Sequence, residues 1–403
     1  SQNKMFRSRV FALDPRMGYL PENDRYLISK EPPKYKFNVI GVGINGQEHV
    51  AVTMLEGRAL IHGVYDPNPL SVAAAQKIFQ RFVPQGELVV YDSLEAACHD
   101  PEVDGLIICT PNYTHLAVVK VAAASGKHIL LEKPIATTVQ DAYAITQIAE
   151  NYEAVFQIGL QYRYKAVYHE AVYEALERKT IGEIKTISMS EHRVPFLDKV
   201  NQWNKFSKFS GDTLVEKCCH YFDLLNLFAQ ARPVSVYASG SQDVNFTEFE
   251  YGGEKSDILD NALVIVNYAN GVRARFDLCM FAPLFYEELI LCGHDGRLKA
   301  WEEEDFLANE EGGTFMEIMC ADNRPSRKMR PSYPAAIQHS GHNGATFYEH
   351  VNFIEQIEGR ESNAATAAEG LWSIVVAAAA QESIKRGTVV EIDAFLAQCG
   401  VDL

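Results

Sequence analysis

From Phe37 onward, short continuous apolar runs alternate with stretches of helical character, and this narrows the fold more than any other property of the chain. The runs are Phe37–Val42, Ala59–Tyr65, Leu88–Tyr91, Gly105–Cys109, His128–Leu131 and Ala154–Ile158, and between them lie Gln47–Glu56, Leu70–Phe82, Ser93–Ala97, Leu116–Ser125 and Val139–Asn151. A strand that is apolar on both faces is one covered on both faces. Strands separated by helices pair in parallel, so the pattern predicts β-α-β units and a doubly wound α/β sheet over 37–157. Thr138-x-x-Asp141 supplies a start signal for the last of these helices.

After Ile158 the period changes. Ile184–Glu191, Val234–Ser239, Ala262–Tyr268, Val272–Cys279 and Glu287–Cys292 read as strands, several alternating as if one face meets solvent, and Asn270-Gly271 is a hairpin signal. Residues 158–403 are therefore expected to form an α+β domain with a large, mostly antiparallel open sheet, closed by helices over Thr346–Ile357 and Thr366–Lys385. Glu302–Glu311 and the Gly-, Pro- and Arg-rich stretch 312–344 read as a solvated surface excursion. Residues 1–36, interrupted by prolines and dotted with aromatics, read as an arm lying on the body or on a neighbouring subunit.

Composition limits the partners. The formal charge of −16 repels phosphate backbones and anionic bilayers, which argues against nucleic acid and membrane as partners. No apolar segment is long enough to span a bilayer. With no visible signal peptide and eight irregularly spaced cysteines, a cytoplasmic protein with reduced thiols is the simplest expectation. The exposed face of an open sheet calls for a cover, so a homo-oligomer, dimer or tetramer, is expected.

The chemistry concentrates at the strand ends. Gly41-Val42-Gly43-Ile44-Asn45-Gly46 follows the first strand and opens the first helix, the context in which a G-x-G-x-x-G segment cradles a pyrophosphate. Asp66 closes the second strand, placed to accept hydrogen bonds from a ribose diol, with no adjacent cation for a 2′-phosphate. This favours NAD, with NADP the alternative. Thr110-Pro111-Asn112 closes the fourth strand and Glu132-Lys133-Pro134 the fifth, so both face the crevice beyond the carboxyl ends. Adjacent Cys218 and Cys219 do not suit one tetrahedral ion, and no metal is expected.

In this order and spacing the chain resembles the glucose–fructose oxidoreductase and inositol dehydrogenase family (Gfo/Idh/MocA), over about residues 37–390. The E-K-P tripeptide and the segment Ser210-Gly211-Asp212-Thr213-Leu214-Val215-Glu216-Lys217-Cys218-Cys219-His220 carry the likeness. It implies that Lys133 is the active-site lysine beside nicotinamide and a substrate hydroxyl, that Lys133–Pro134 is a candidate cis bond, and that His220 is the general base. Glu216 stands where the family usually has Asp and would orient His220 or bind a hydroxyl. The spacing of Glu216, His220 and Asp223 puts all three on one face of a single helix. His115 matches a frequent family histidine near the cofactor, although packing or capping accounts for it equally. Gln161, Tyr162, Arg163, Trp203 and His342 are candidates to line the substrate cleft. The implied activity is NAD(P)-dependent oxidation of a secondary hydroxyl on a sugar, sugar derivative or cyclitol. Two rivals share the fold: a glycosidase working by oxidation, elimination and reduction on tightly held NAD, and a non-catalytic NAD(H) sensor.

Overall fold

The computed structural model describes residues 32–195, 198–304 and 312–403. Most of the expected arm lies outside the described residues. Tyr35 and Lys36, assigned to the arm on sequence, instead open the first strand.

The first sheet is built from β1 (Tyr35–Ile40), β2 (Ala59–Tyr65), β3 (Val89–Val90), β4 (Gly105–Ile108), β5 (His128–Glu132) and β6 (Phe156–Gly159). Its order is β3-β2-β1-β4-β5-β6, and every pair is parallel. Between the strands run α1 (Ile44–Glu56), α2 (Pro69–Phe82), α3 (Leu94–His99), α4 (His115–Ala124) and α5 (Val139–Glu150). Phe37, Val39 and Ile40 are fully buried, and so is Asn38, whose amide donates to the Ala97 carbonyl (2.7 Å). Burial on both faces explains the unbroken apolar runs. The Thr138 side chain accepts from the Asp141 N–H and caps α5, as its spacing predicted. Strand order reverses between β1 and β4, where open sheets of this kind bind ligands.

The second sheet contains β7 (Ile184–His192), β8 (Pro233–Ser241), β11 (Asn261–Tyr268), β12 (Arg273–Cys279), β13 (Phe285–Gly293), β14 (Gly296–Glu304), β15 (Gly313–Cys320), β16 (Arg327–Met329) and β17 (Val390–Glu391); β9 (Glu250–Tyr251) and β10 (Glu254–Lys255) pair separately. The nine strands lie in the order β16-β15-β14-β13-β7-β12-β11-β8-β17, and β7–β12 is the parallel pair among otherwise antiparallel neighbours. The turn between β11 and β12 contains Gly271 at φ +87°, as the hairpin signal implied.

One sequence expectation fails here. The stretch read as a surface excursion supplies the end of β14 and all of β15 and β16. In β14 the inward positions are Leu298, Ala300 and Glu302, and in β15 Thr314, Met316 and Ile318. The period of two is present, but a small residue, a buried carboxylate and a threonine disguise it.

Helices α6 (Thr213–Glu216), α7 (Cys219–Ala229), α8 (Ala345–Ile357) and α9 (Ala367–Arg386) complete the body, with α7 and α9 against one face of the second sheet. Thr366 and Glu369 form a reciprocal capping box at the start of α9. Tyr237, Leu263 and Ile265 remain on the opposite face at 41, 60 and 42% exposure. Helix α8 returns to the first sheet, where Phe353 meets Phe37 with ring centroids 5.3 Å apart. Among the described residues, no helix is long and apolar enough to cross a membrane.

Candidate active site

The glycine loop is shaped by backbone crowding. Gly41 has φ +86°, and a Cβ there would lie 2.8 Å from the Cys109 carbonyl oxygen. A Cβ on Gly46 would come within 2.1 Å of the Gly41 oxygen, so only hydrogen lets α1 sit this close to β1. A Cβ on Gly43 meets nothing within 4 Å. The first helical hydrogen bond runs from Gln47 N–H to the Gly43 oxygen, leaving the N–H groups of Ile44, Asn45 and Gly46 outside the ladder. No side chain caps α1 and no acid stands in its first turn. Open space before uncapped N–H groups at a positive helix end fits a diphosphate.

The Asp66 carboxylate ties this loop to the end of β2, accepting from Val42 N–H and from Asn68 N–H (both 2.8 Å). Thr110 closes β4 directly against Gly41, followed by Pro111. Asn112 is buried, and its amide donates to the Ser210 carbonyl (2.9 Å), so it bridges the crevice. His115, expected near the cofactor, is spent on the backbone. Its ring nitrogens face the carbonyls of Pro134 (2.8 Å) and Thr110 (3.0 Å), and burial lowers its pKa. It braces the two strand-end loops together.

Glu132 and Lys133 part company at the end of β5. Glu132 turns inward to His49 Nε2 (2.5 Å), while its second oxygen accepts the Lys133 N–H (3.1 Å). Burial works to raise the Glu132 pKa, but His49 and Lys133 hold it below its ordinary value. Glu132 thus anchors the lysine's backbone at the end of β5. His49 continues to His350 (2.7 Å). Glu349, fully buried with both oxygens unpartnered, lies with His49 and Glu132 in a group whose ligand-type atoms are within 4.8 Å of one another. Burial pushes the Glu349 carboxyl well above its ordinary value, with Glu132 and Glu48 adding to the effect. Nothing in the sequence marks this group, because His49 and Glu349 are polar positions on ordinary helices.

The Lys133–Pro134 bond is cis. The Lys133 ammonium donates to the backbone carbonyl of Glu216 (2.7 Å). The strand-end lysine and the Glu216–His220 segment therefore meet in one place. That segment is not one helix: α6 ends at Glu216, Lys217 and Cys218 form a turn, and α7 starts at Cys219. Glu216 consequently lies outside the helix that carries His220 and Asp223. Asp223 instead forms a two-pronged pair with Arg163 (2.6 and 2.7 Å), which also meets Glu369 (2.5 Å). Glu216 Oε2 and His220 Nδ1 are buried without partners. Burial raises Glu216 to about 7, with Lys133 opposing. Burial drives His220 well below its ordinary value, assisted by Lys133, Lys217, His342 and Lys165.

The expected cleft residues divide. Gln161 keeps a buried, unpartnered side-chain oxygen. Arg163 is consumed by its ion pairs, and Tyr162, 3% exposed, lies flat on the His220 ring at 3.8 Å between centroids. His342 joins the cluster, with its Nδ1 2.9 Å from Glu48 and its ring 6.4 Å from Tyr162. Trp203 is half-buried in the Val200–Lys205 segment and forms no hydrogen bond or ring contact with the cluster. Lys217 was missed as a site residue; its signal was an ammonium inside an otherwise apolar stretch.

Residues 35–160 match the model of an oxidoreductase family with an NAD-binding Rossmann fold, and residues 173–392 match that family's C-terminal alpha/beta domain. The chain is 25% identical to an inositol 2-dehydrogenase of Rhizobium meliloti over 89% of this chain and 99% of the relative. It is 22% identical to a myo-inositol 2-dehydrogenase of Thermotoga maritima over 89% and 98%. A solved levoglucosan dehydrogenase, in complex with NADH and levoglucosan, shares the fold at TM-score 0.73 and 19% identity, over 89% of this chain and 99% of that one. With both sheets, the glycine loop and the cis Lys133–Pro134 corner in place, the chain belongs to the Gfo/Idh/MocA family of oxidoreductases.

Proposed function

We propose that this protein is an NAD(P)-dependent dehydrogenase acting on a secondary hydroxyl of a sugar, sugar derivative or cyclitol, with NAD the favoured cofactor. The observation that carries the reading is the meeting of Lys133 with the Glu216–His220 segment, where unpartnered acceptors stand beside an ammonium. Unfilled polar atoms around one buried cation suit a ligand rich in hydroxyls. The inositol dehydrogenases among its relatives act on such molecules by name.

In this reading Ile44, Asn45, Gly46 and the loop around Gly43 hold a diphosphate, and Asp66 faces the ribose. A bound nicotinamide would supply the hydride acceptor. The chain's own residues handle the remaining charge. Lys133 holds the hydroxyl oxygen and stabilises the negative charge that grows there. His220, kept neutral by burial and by the cations around it, accepts the hydroxyl proton. Glu216, poised near neutrality, binds a neighbouring hydroxyl or exchanges a proton with the imidazole. Purified protein mixed with NAD and a panel of polyols should raise absorbance at 340 nm. Undiminished turnover in both Lys133→Met and His220→Ala would overturn these roles.

A further inference from the structure

A general-base imidazole is ordinarily held by a hydrogen bond to its second nitrogen. His220 lacks this support, since its Nδ1 is buried without a partner. What touches it instead is a ring. Tyr162 lies parallel to the imidazole, with centroids 3.8 Å apart and planes 5° apart. The Lys165 ammonium stands 3.9 Å from the same phenol centroid. The imidazole fills one face at contact distance, so the ammonium occupies the other. At the ring edge, the Tyr162 hydroxyl meets the Lys217 ammonium.

These supports are themselves fixed. Lys165 is fully buried between Glu287 (3.0 Å) and Glu302 (3.1 Å). Asn343 donates to Glu302 (3.1 Å), tying in the loop that carries His342. Lys217 stands 3.9 Å from Glu191, whose two oxygens have no hydrogen-bond partner. The phenol therefore has a cation behind it, a cation at its hydroxyl and the imidazole in front.

We propose that Tyr162, clamped by Lys165 and Lys217, is the positioning residue that fixes the His220 imidazole for proton transfer. The proposal rests on the reading of His220 as proton acceptor. Tyr162 spends both ring faces and its hydroxyl on these neighbours, so it works through the ring it supports. The clamp has an electrostatic side. His220 is faced by Lys133 from beyond β5, Lys165 from beyond β6, Lys217 from the turn before α7 and His342 from the loop before α8. Lys217 in turn is faced by Glu191 and by Arg193 beyond β7, by Lys133, and by Glu287 on β13. Removing the Lys217 charge eases protonation of His220, so its titration midpoint moves to higher pH.

The test uses the full chain with carbon-labelled histidine, the His220 resonance assigned through His220→Gln, alongside steady-state kinetics on the best polyol. Tyr162→Leu should lower kcat by about 10- to 100-fold with little change in KM, the scale of a misplaced catalytic group. Tyr162→Phe, which keeps the stack, should recover most of that loss. Lys217→Met should raise the His220 midpoint, and Lys217→Arg should not. Unchanged kcat and an unchanged His220 resonance in Tyr162→Leu would overturn the proposal, as would an unmoved midpoint in Lys217→Met. If Tyr162→Leu does not fold, Tyr162→Phe and Lys217→Met still decide it. Full turnover in His220→Ala is the separate outcome that defeats the general-base reading.

Discussion

The glycine loop and the Lys133–His220 cleft are both built for polar ligands, yet they are made from different materials. The loop is backbone: its shape follows from three positions where hydrogen must replace a side chain or where nothing fills the space, and its charge is that of a helix end. The cleft is side chain: Glu216, His220, Lys217, Tyr162 and Lys165 are buried ionisable or polar groups whose properties depend on one another. A backbone site tolerates changes in its neighbours' charge but not an added methyl. A buried ionic site is the reverse.

The sharpest way to separate the two is to damage each alone. Lys133→Met should reduce kcat by about 10²- to 10³-fold, the cost of losing one donor to a developing oxyanion, while NADH binding, read by fluorescence titration, persists. Equal loss of both would mean that the regions are not distinct. Next in size is Gly46→Ala, whose methyl would lie 2.1 Å from the Gly41 oxygen. It should cost about 1–3 kcal/mol of stability, as overpacking does, and weaken NADH binding. Gly43→Ala is its foil: with open space at Cβ, thermal stability should hold while NADH affinity falls.

Acidity offers a third contrast, confined to the cleft. Burial raises Glu216 from 4.5 to about 7 in the folded chain. The folded state therefore holds a proton that the unfolded chain has released across this window. Stability from that proton is present below about 4.5 and lost as pH rises through about 7. Glu216→Gln should thus gain in unfolding free energy over the parent from about pH 5 to pH 8, by on the order of 1–3 kcal/mol, read from denaturant unfolding curves. A constant difference across that range would show that Glu216 is not held protonated. The smallest effect is expected at the loop's one side-chain contribution. Asp66→Asn should shift the preference between NAD and NADP toward NADP by about tenfold, or about 1.4 kcal/mol, measured as a ratio of kcat/KM values.

The same division governs what could be read in advance. The first sheet was legible because double-sided burial writes itself as unbroken apolar runs, and the loop because Gly41, Gly43 and Gly46 have no other good explanation. Lys133 and His220 were legible only as parts of motifs. The roles of Glu132, His115 and Arg163 were not, because a polar residue at a strand end looks alike whether it faces a ligand, a histidine ring, two carbonyls or an aspartate. The single helix expected for Glu216, His220 and Asp223 failed because nothing in Lys217-Cys218 announces a turn. The end of β14 was hidden by the same effect: Glu302 fills an inward strand position because Lys165 neutralises it there.

That buried glutamate bears on how the protein can be re-engineered. Glu302–Glu311 looks like a strip of expendable surface acidity, the natural place to trim charge for crystallisation or solubility. Its leading member is 3% exposed and serves as counterion to the lysine behind the phenol ring. Charge-reduction work on this strip should therefore spare Glu302, because an alanine there leaves Glu287 alone to offset a cation two side chains away from the imidazole.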